Sequence, residues 1–173
     1  MNLNLAEHIR DIPDFPKPGI LFKDITTLIG HPAAFRSSLD QFESRIKGYG
    51  ADAIVAVEAR GYIFGAPLAD RLGIRFVPVR KPGKLPYDTI SEDYELEYGS
   101  NTLEIHSDAI KEGEKVIIID DLIATGGSAA ATVSLIRKLG GEVVGFACVI
   151  ELAFLAGRQR LGGVPVESLL VVD

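Results

Sequence analysis

The chain reads as an α/β protein, a mostly parallel sheet with helices on both faces, and three observations predict this. Short apolar runs alternate along the chain with amphipathic segments of helical period. The runs are apolar without interruption, as strands covered on both sides are. One stretch, residues 85–106, departs from the pattern and alternates with period two, as a hairpin or flap projecting from such a sheet would. A length of 173 residues with 47% hydrophobic content fits one domain over residues 1–173 and gives no reason to expect a second folded module.

Taken in order, residues 3–9 read as a short helix. Residues 12–19, Ile-Pro-Asp-Phe-Pro-Lys-Pro-Gly, are stiffened by proline into an extended loop. Phe35, Leu39, Phe42 and Ile46 recur at helical spacing within 32–47, with Pro32 suited to the first turn and Gly48 to the exit. A strand over 53–57, a helix over 63–72 and a strand over 76–79 follow. The β-branched run 116–119 is the next strand, and then come a helix over 128–139, a strand over 143–150, a short helix near 154–160 and a strand over 168–172. In the exceptional stretch, Tyr94-Glu-Leu-Glu-Tyr-Gly99 and Leu103-Glu-Ile-His106 alternate about Gly99-Ser-Asn101. The sequence contains no repeat, linker or low-complexity segment.

Composition excludes several classes. A net charge of −6 with 24% charged residues lacks the basic footprint of a general nucleic-acid or membrane-surface binder, so any anion must be held by a local cluster of cations. Cys148, the only cysteine, lies in an apolar run and reads as a buried, inert thiol, which leaves no disulfide framework and no zinc pattern. His8, His31 and His106 show no catalytic or metal spacing. Residues 1–11 hold no basic segment followed by an apolar core, and no apolar run approaches the roughly 18 residues that span a bilayer. The expected location is the cytoplasm.

The most informative segment is Val116-Ile-Ile-Ile-Asp-Asp-Leu-Ile-Ala-Thr-Gly-Gly-Ser128, a buried strand ending in two carboxylates, then a glycine-rich hydroxylated turn that opens a helix. Free N–H groups at the helix start, with the Thr125 and Ser128 hydroxyls, suit a phosphate monoester. Neither the Walker spacing nor the Rossmann glycine fingerprint is present. Asp120 and Asp121 would repel that phosphate unless they face something else, and vicinal hydroxyls are the fitting partners for carboxylates. A ribose 5-phosphate carries both groups on opposite sides of its ring.

These thirteen residues, 116–128, resemble the phosphoribosyl-pyrophosphate-binding motif of type I phosphoribosyltransferases. The resemblance implies that fold, with Asp120 and Asp121 on the ribose 2- and 3-hydroxyls and Ala124, Thr125, Gly126, Gly127 and Ser128 around the 5-phosphate. The second anionic group of such a substrate needs cations. Arg75, Arg80, Lys81 and Lys84 fall within ten positions with no acid among them, and Arg60 follows the strand 53–57 in Glu58-Ala-Arg-Gly61. Read without the motif, the loop 80–84 is an ordinary solvated basic loop. The two segments resemble the family's pyrophosphate loops, which assigns Arg60, Lys81 and Lys84 to the leaving group and lets Arg80 reach the site of a neighbouring subunit. Arg75 has no such match and reads as structural. Pyrophosphate carries its own Mg²⁺ with most of its waters, so no protein-built metal site is expected.

The base is addressed by residues 1–30. Phe22 suits either the core or a stack on a flat base, with the main chain of Leu21 and Lys23 reading the base edge. Phe15 to Asp24 resembles the segment typical of the adenine-specific branch of the family, in which arginine often stands at the position of Lys23. Residues 88–97 hold five acids and no cation, which by itself means a solvated segment. Leu96-Glu-Tyr-Gly99 resembles that branch's catalytic loop, and this implies that Glu97 manages the proton of the attacking ring nitrogen. The activity implied is purine salvage, adenine plus 5-phosphoribosyl 1-pyrophosphate giving AMP and pyrophosphate, in a homodimer. The alternatives are a phosphoribosyltransferase for another base, such as hypoxanthine or guanine, and a non-catalytic sensor of phosphoribosyl pyrophosphate.

Overall fold

A computed structural model describes residues 3–96 and 99–173. In chain order the strands and helices are β1 (Arg10–Pro13), β2 (Leu21–Asp24), α1 (Thr26–Ile29), α2 (Pro32–Ile46), β3 (Ala53–Val57), α3 (Arg60–Leu72), β4 (Arg75–Val79), β5 (Thr89–Glu95), β6 (Ser100–His106), β7 (Lys115–Ile123), α4 (Gly127–Lys138), β8 (Glu142–Leu152) and β9 (Val166–Val172). Strands β3, β4, β7, β8 and β9 form one parallel sheet in the order β4-β3-β7-β8-β9. Its two faces are visible within single strands. Ala53, Val55 and Val57 enter one core with Leu135 and Ile136 of α4, whereas Ile54 and Ala56 enter the other with Phe42 of α2 and Phe64 of α3. Helices on both faces are therefore present, as the uninterrupted apolar runs require. Phe42 and Phe64 meet edge to face at 5.8 Å, and truncating either to alanine costs about 3–5 kcal/mol.

Five expectations are revised. Residues 5–8 form a 3-10 turn rather than a longer helix, and the segment after it is a strand: Arg10–Pro13 pairs antiparallel with Leu21–Asp24. The prolines allow this because they fall at the end of β1 and in the connecting loop, leaving the N–H groups of Arg10 to Ile12 free to pair. Asp24 fastens the hairpin through Arg10 at 2.7 Å, and the Thr26 N–H and then Arg10 hold its carboxyl down to about 2. Helix α3 starts at Arg60, and β7 continues through both aspartates to Ile123, so the acidic pair lies within the strand. Residues 153–161 form two 3-10 turns, Ala153–Leu155 and Gly157–Leu161.

The flap is an antiparallel hairpin in register from Thr89 opposite His106 to Glu95 opposite Ser100. Backbone bonds between Arg80 and Glu104 tie its base to the end of β4. Its outer strand is fastened to α4, where the Glu92 carboxylate accepts from Ser134 at 2.9 Å and pairs with Lys138. Lys138 and then Ser134 hold the Glu92 carboxyl below its usual range. Glu97 lies outside the described residues.

Candidate active site

The strand order places the site. From β3 the chain crosses to β4 on one side, whereas the strands after β7 continue on the other, so the connections diverge between β3 and β7. In open parallel sheets the crevice beyond the carboxyl ends of two such strands receives ligand. Both informative motifs emerge there, the Glu58 to Gly61 segment after β3 and the acidic pair with its glycine turn at the end of β7. Between them opens a cleft of about 460 Å³.

The cleft brings together Arg60, Lys81, Asp120, Asp121 and the whole turn Ala124, Thr125, Gly126, Gly127 and Ser128. Gly126 has φ +82°, a left-handed conformation that lets the chain turn from β7 into α4. The first turn of α4 contains no acid and its N-cap makes no side-chain hydrogen bond, so its leading N–H groups face the cleft as donors. Tyr94 of the flap covers this end, close enough that a Cβ on Gly127 would stand 3.0 Å from its ring.

Asp120 and Asp121 are both buried. The Asp121 N–H donates to Asp120 Oδ1 at 2.8 Å, and Arg60 Nε stands 2.8 Å from Asp121 Oδ2. Burial, and then the neighbouring Asp121 charge, push the Asp120 carboxyl well above its ordinary range, with Arg60 acting weakly against them. Gly61 permits this packing, because a Cβ there would stand 2.9 Å from the Ile119 carbonyl oxygen and 3.1 Å from Asp120 Oδ1. The site thus holds an acidic centre flanked by a cationic loop and by a helix N-terminus.

Glu58 was not singled out by the sequence, yet it shapes the cationic side. Its carboxylate accepts from the Lys81 N–H at 2.6 Å and from Arg80 Nη2 at 3.1 Å. Burial works to raise its pKa, but these two donors outweigh it and the carboxyl is lowered. The peptide joining Glu58 to Ala59 is cis. Arg80 is therefore held at Glu58 of its own chain, and Lys84 contributes a carbonyl to the Arg80 guanidinium; neither lines the cleft.

The residues expected to bind a base lie beside the cleft rather than in its lining. Phe22 is half-buried and outside both cores, with the Arg60 guanidinium 5.7 Å from its ring centre and Phe15 edge-on at 5.1 Å. The Lys23 ammonium pairs with Asp11 at 2.7 Å, which turns that side chain away from a base-reading role and leaves its main chain for one. Leu21 is half exposed. Arg75 pairs with Glu114, and Cys148 is fully buried, both as expected. His31 caps α2 by accepting from the Ala34 N–H.

Among the described residues no group of three or more His, Cys, Asp or Glu side chains converges as a metal site. Two buried carboxylates, one of them engaged by arginine, fit a cation that arrives on a ligand better than one caged by protein. No helix among the described residues is long and apolar enough to cross a membrane.

Residues 32–162 match the phosphoribosyl transferase domain family. The chain is 57% identical over 169 residues to the adenine phosphoribosyltransferase of Pectobacterium carotovorum, covering 98% of this chain and 91% of that one. The chain belongs to the adenine phosphoribosyltransferase family. Solved structures of the family agree across the whole fold. The Thermoanaerobacter pseudethanolicus adenine phosphoribosyltransferase superposes with a TM-score of 0.95 at 52% identity, covering 97% of this chain and 98% of that one. The Saccharomyces cerevisiae enzyme, solved with D-2,5-dideoxy-2,5-imino-altritol 1,6-bisphosphate and adenine, does so with 0.92 at 44% identity, covering 96% of each.

Proposed function

We propose that this chain converts adenine and 5-phosphoribosyl 1-pyrophosphate to AMP and pyrophosphate. The observation that carries the assignment is the convergence, at one crevice, of a buried acidic pair, an arginine and lysine, and an unencumbered helix N-terminus. Each matches one part of the substrate. The N–H groups and hydroxyls of residues 124–128 receive the 5-phosphate. Asp120 and Asp121 accept from the ribose hydroxyls. Arg60 and Lys81, supported by Lys84, take the pyrophosphate, and Arg80, held by Glu58, steadies the loop that carries Lys81 in each subunit of a homodimer. Phe22 stacks on adenine while the main chain of Leu21 and Lys23 reads its edge.

In the reaction the bond from ribose C1 to the pyrophosphate oxygen breaks and a bond from C1 to the adenine ring nitrogen forms. Glu97 accepts the proton that the nitrogen gives up. The cations take up charge on the departing pyrophosphate, and the aspartates hold the sugar through the change. Mg²⁺ bound to pyrophosphate adds charge neutralisation at the leaving group when present. The flap, closed over the cleft, keeps water from the sugar. A cytoplasmic location belongs to the same proposal. The buried free thiol is in keeping with that location, and the complex of the yeast relative with adenine and a bisphosphate supports the substrate assignment.

Mixing the protein with Mg²⁺, phosphoribosyl pyrophosphate and each base in turn, and measuring nucleotide formed, tests this. AMP from adenine, with little product from hypoxanthine or guanine, is expected. Equal turnover of hypoxanthine would overturn the base assignment, and no turnover of any base would favour a sensor. Glu97→Gln should lower turnover far more than substrate binding.

A further inference from the structure

Behind the phosphate turn stands a polar group that the proposed reaction does not touch. Glu151, near the end of β8, is 3% exposed. Arg158 grips its carboxylate with both ends of the guanidinium, Nε to Oε1 at 2.6 Å and Nη2 to Oε2 at 2.5 Å, and Ser168 of β9 donates to Oε2 at 2.5 Å. The Arg158 bond is the main reason the Glu151 carboxyl lies below its usual range, with burial opposing it. An ion pair whose arginine is half exposed contributes little to stability by its charge alone. Its worth is better sought in what it holds in place.

Arg158 belongs to the turn Gly157–Leu161, and that turn packs against the backbone of the phosphate turn. Gly157 lies so close beneath it that a Cβ there would stand 2.9 Å from the Gly126 nitrogen and would collide with the Ala124 carbonyl oxygen. A Cβ on Gly126 would in turn collide with the Gly157 carbonyl oxygen. Arg160, on the same turn, donates to the Thr125 carbonyl at 3.5 Å. The two-pronged grip fixes the direction as well as the distance of Arg158. It joins the Gly157 turn to β8 and, through Ser168, to β9.

We propose that Glu151 and Arg158 are positioning residues for the 5-phosphate. They hold the Gly157 turn at the height that sets the backbone of residues 124–128. The inference rests on the assignment of that loop to the 5-phosphate. The effect is confined to one end of the substrate, because Arg60 and Lys81 are carried by the segments after β3 and β4.

Titration calorimetry with ribose 5-phosphate and with inorganic pyrophosphate, together with KM for each substrate, separates this role from general support. Arg158→Met should weaken ribose 5-phosphate and raise KM for phosphoribosyl pyrophosphate about tenfold, as a displaced binding loop does. Pyrophosphate affinity and KM for adenine should be unchanged. Arg158→Lys should recover only part of the loss, since an ammonium lacks the planar fork. Glu151→Gln should behave as Arg158→Met. Should burial prevent that variant from folding, the half-exposed Arg158 still permits the test, with a thermal melt on each protein. Equal weakening of both ligands, or unchanged ribose 5-phosphate affinity in folded Arg158→Met, would overturn the positioning role and leave the transferase assignment standing. Failure of the unaltered protein to form AMP would overturn that assignment, and the positioning role with it.

Discussion

Replacing Asp120 with asparagine should make the protein more stable and less active at once. The carboxyl is buried, lies against a second carboxylate, and is pushed well above its ordinary range by burial first and Asp121 second. The amide retains an oxygen for the Asp121 N–H, which donates at 2.8 Å, so the change removes a charge without removing the acceptor. Relieving an imperfectly compensated buried charge contributes about 1–3 kcal/mol. For a chain of this length that corresponds to a rise in Tm of roughly 2–12 °C. The pH dependence gives the sign. A group whose folded pKa is raised binds more protons folded than unfolded, so wild-type stability falls as pH climbs from the unfolded value near 3.8 toward the raised one. The asparagine variant has no such loss. The two melting curves should therefore nearly coincide at about pH 3.5, and the variant should lead by a widening margin toward neutrality. In the same protein, loss of a carboxyl partner for a ribose hydroxyl should lower kcat/KM for phosphoribosyl pyrophosphate about 10- to 100-fold. Calorimetric melts across this pH range, with steady-state kinetics, measure both. A variant that melts lower than wild type at pH 7, or a margin that does not depend on pH, would refute the account of the buried pair.

Two shorter predictions follow from neighbouring features. Gly126→Ala forces a side chain into a left-handed backbone at a cost of about 1–2 kcal/mol and drives its Cβ into the Gly157 carbonyl. KM for phosphoribosyl pyrophosphate should rise, whereas Gly50→Ala, with a similar φ but open space around it, should lower Tm and leave KM unchanged. Burial pushes the Cys148 thiol up to about 12, so at pH 8 a chromogenic disulfide reagent should label the protein only as denaturant unfolds it. Rapid labelling of the native protein would contradict that burial.

The alternation of apolar runs and amphipathic segments announced the sheet and its helices, because burial on two faces leaves its imprint on each strand separately. Residues 116–128 were legible for the same reason, since their chemistry is local and contiguous. The β1–β2 hairpin was hidden by prolines that read as punctuation, although three of the four β1 residues keep a donor. The start of α3 at Arg60 was hidden because Gly61, a poor helix former, is required there by the closeness of Ile119 and Asp120. Partnerships across the chain left no sequence signal at all. Nothing in residues 151 and 158 announces a shared ion pair, and Glu58 stood inside a motif without a role until Lys81 and Arg80 were seen to converge on it.

The meeting of β3 and β7 also bears on how the protein comes to be active. Their pairing, Ala53 with Val116 through Ala56 with Ile119, joins segments between which α3, β4 and the flap strands intervene in sequence. Local units such as β3 with α3 and β4 gain their contacts over short chain distances, whereas this pairing closes a long loop and incurs its entropy first. A nascent chain that has not yet delivered β7 carries Arg60 and Lys81 but no counterpart to set them against. Competence requires the central strand together with the later segments that seat the phosphate turn, so regained activity after dilution from denaturant reports assembly of the sheet rather than of any local unit.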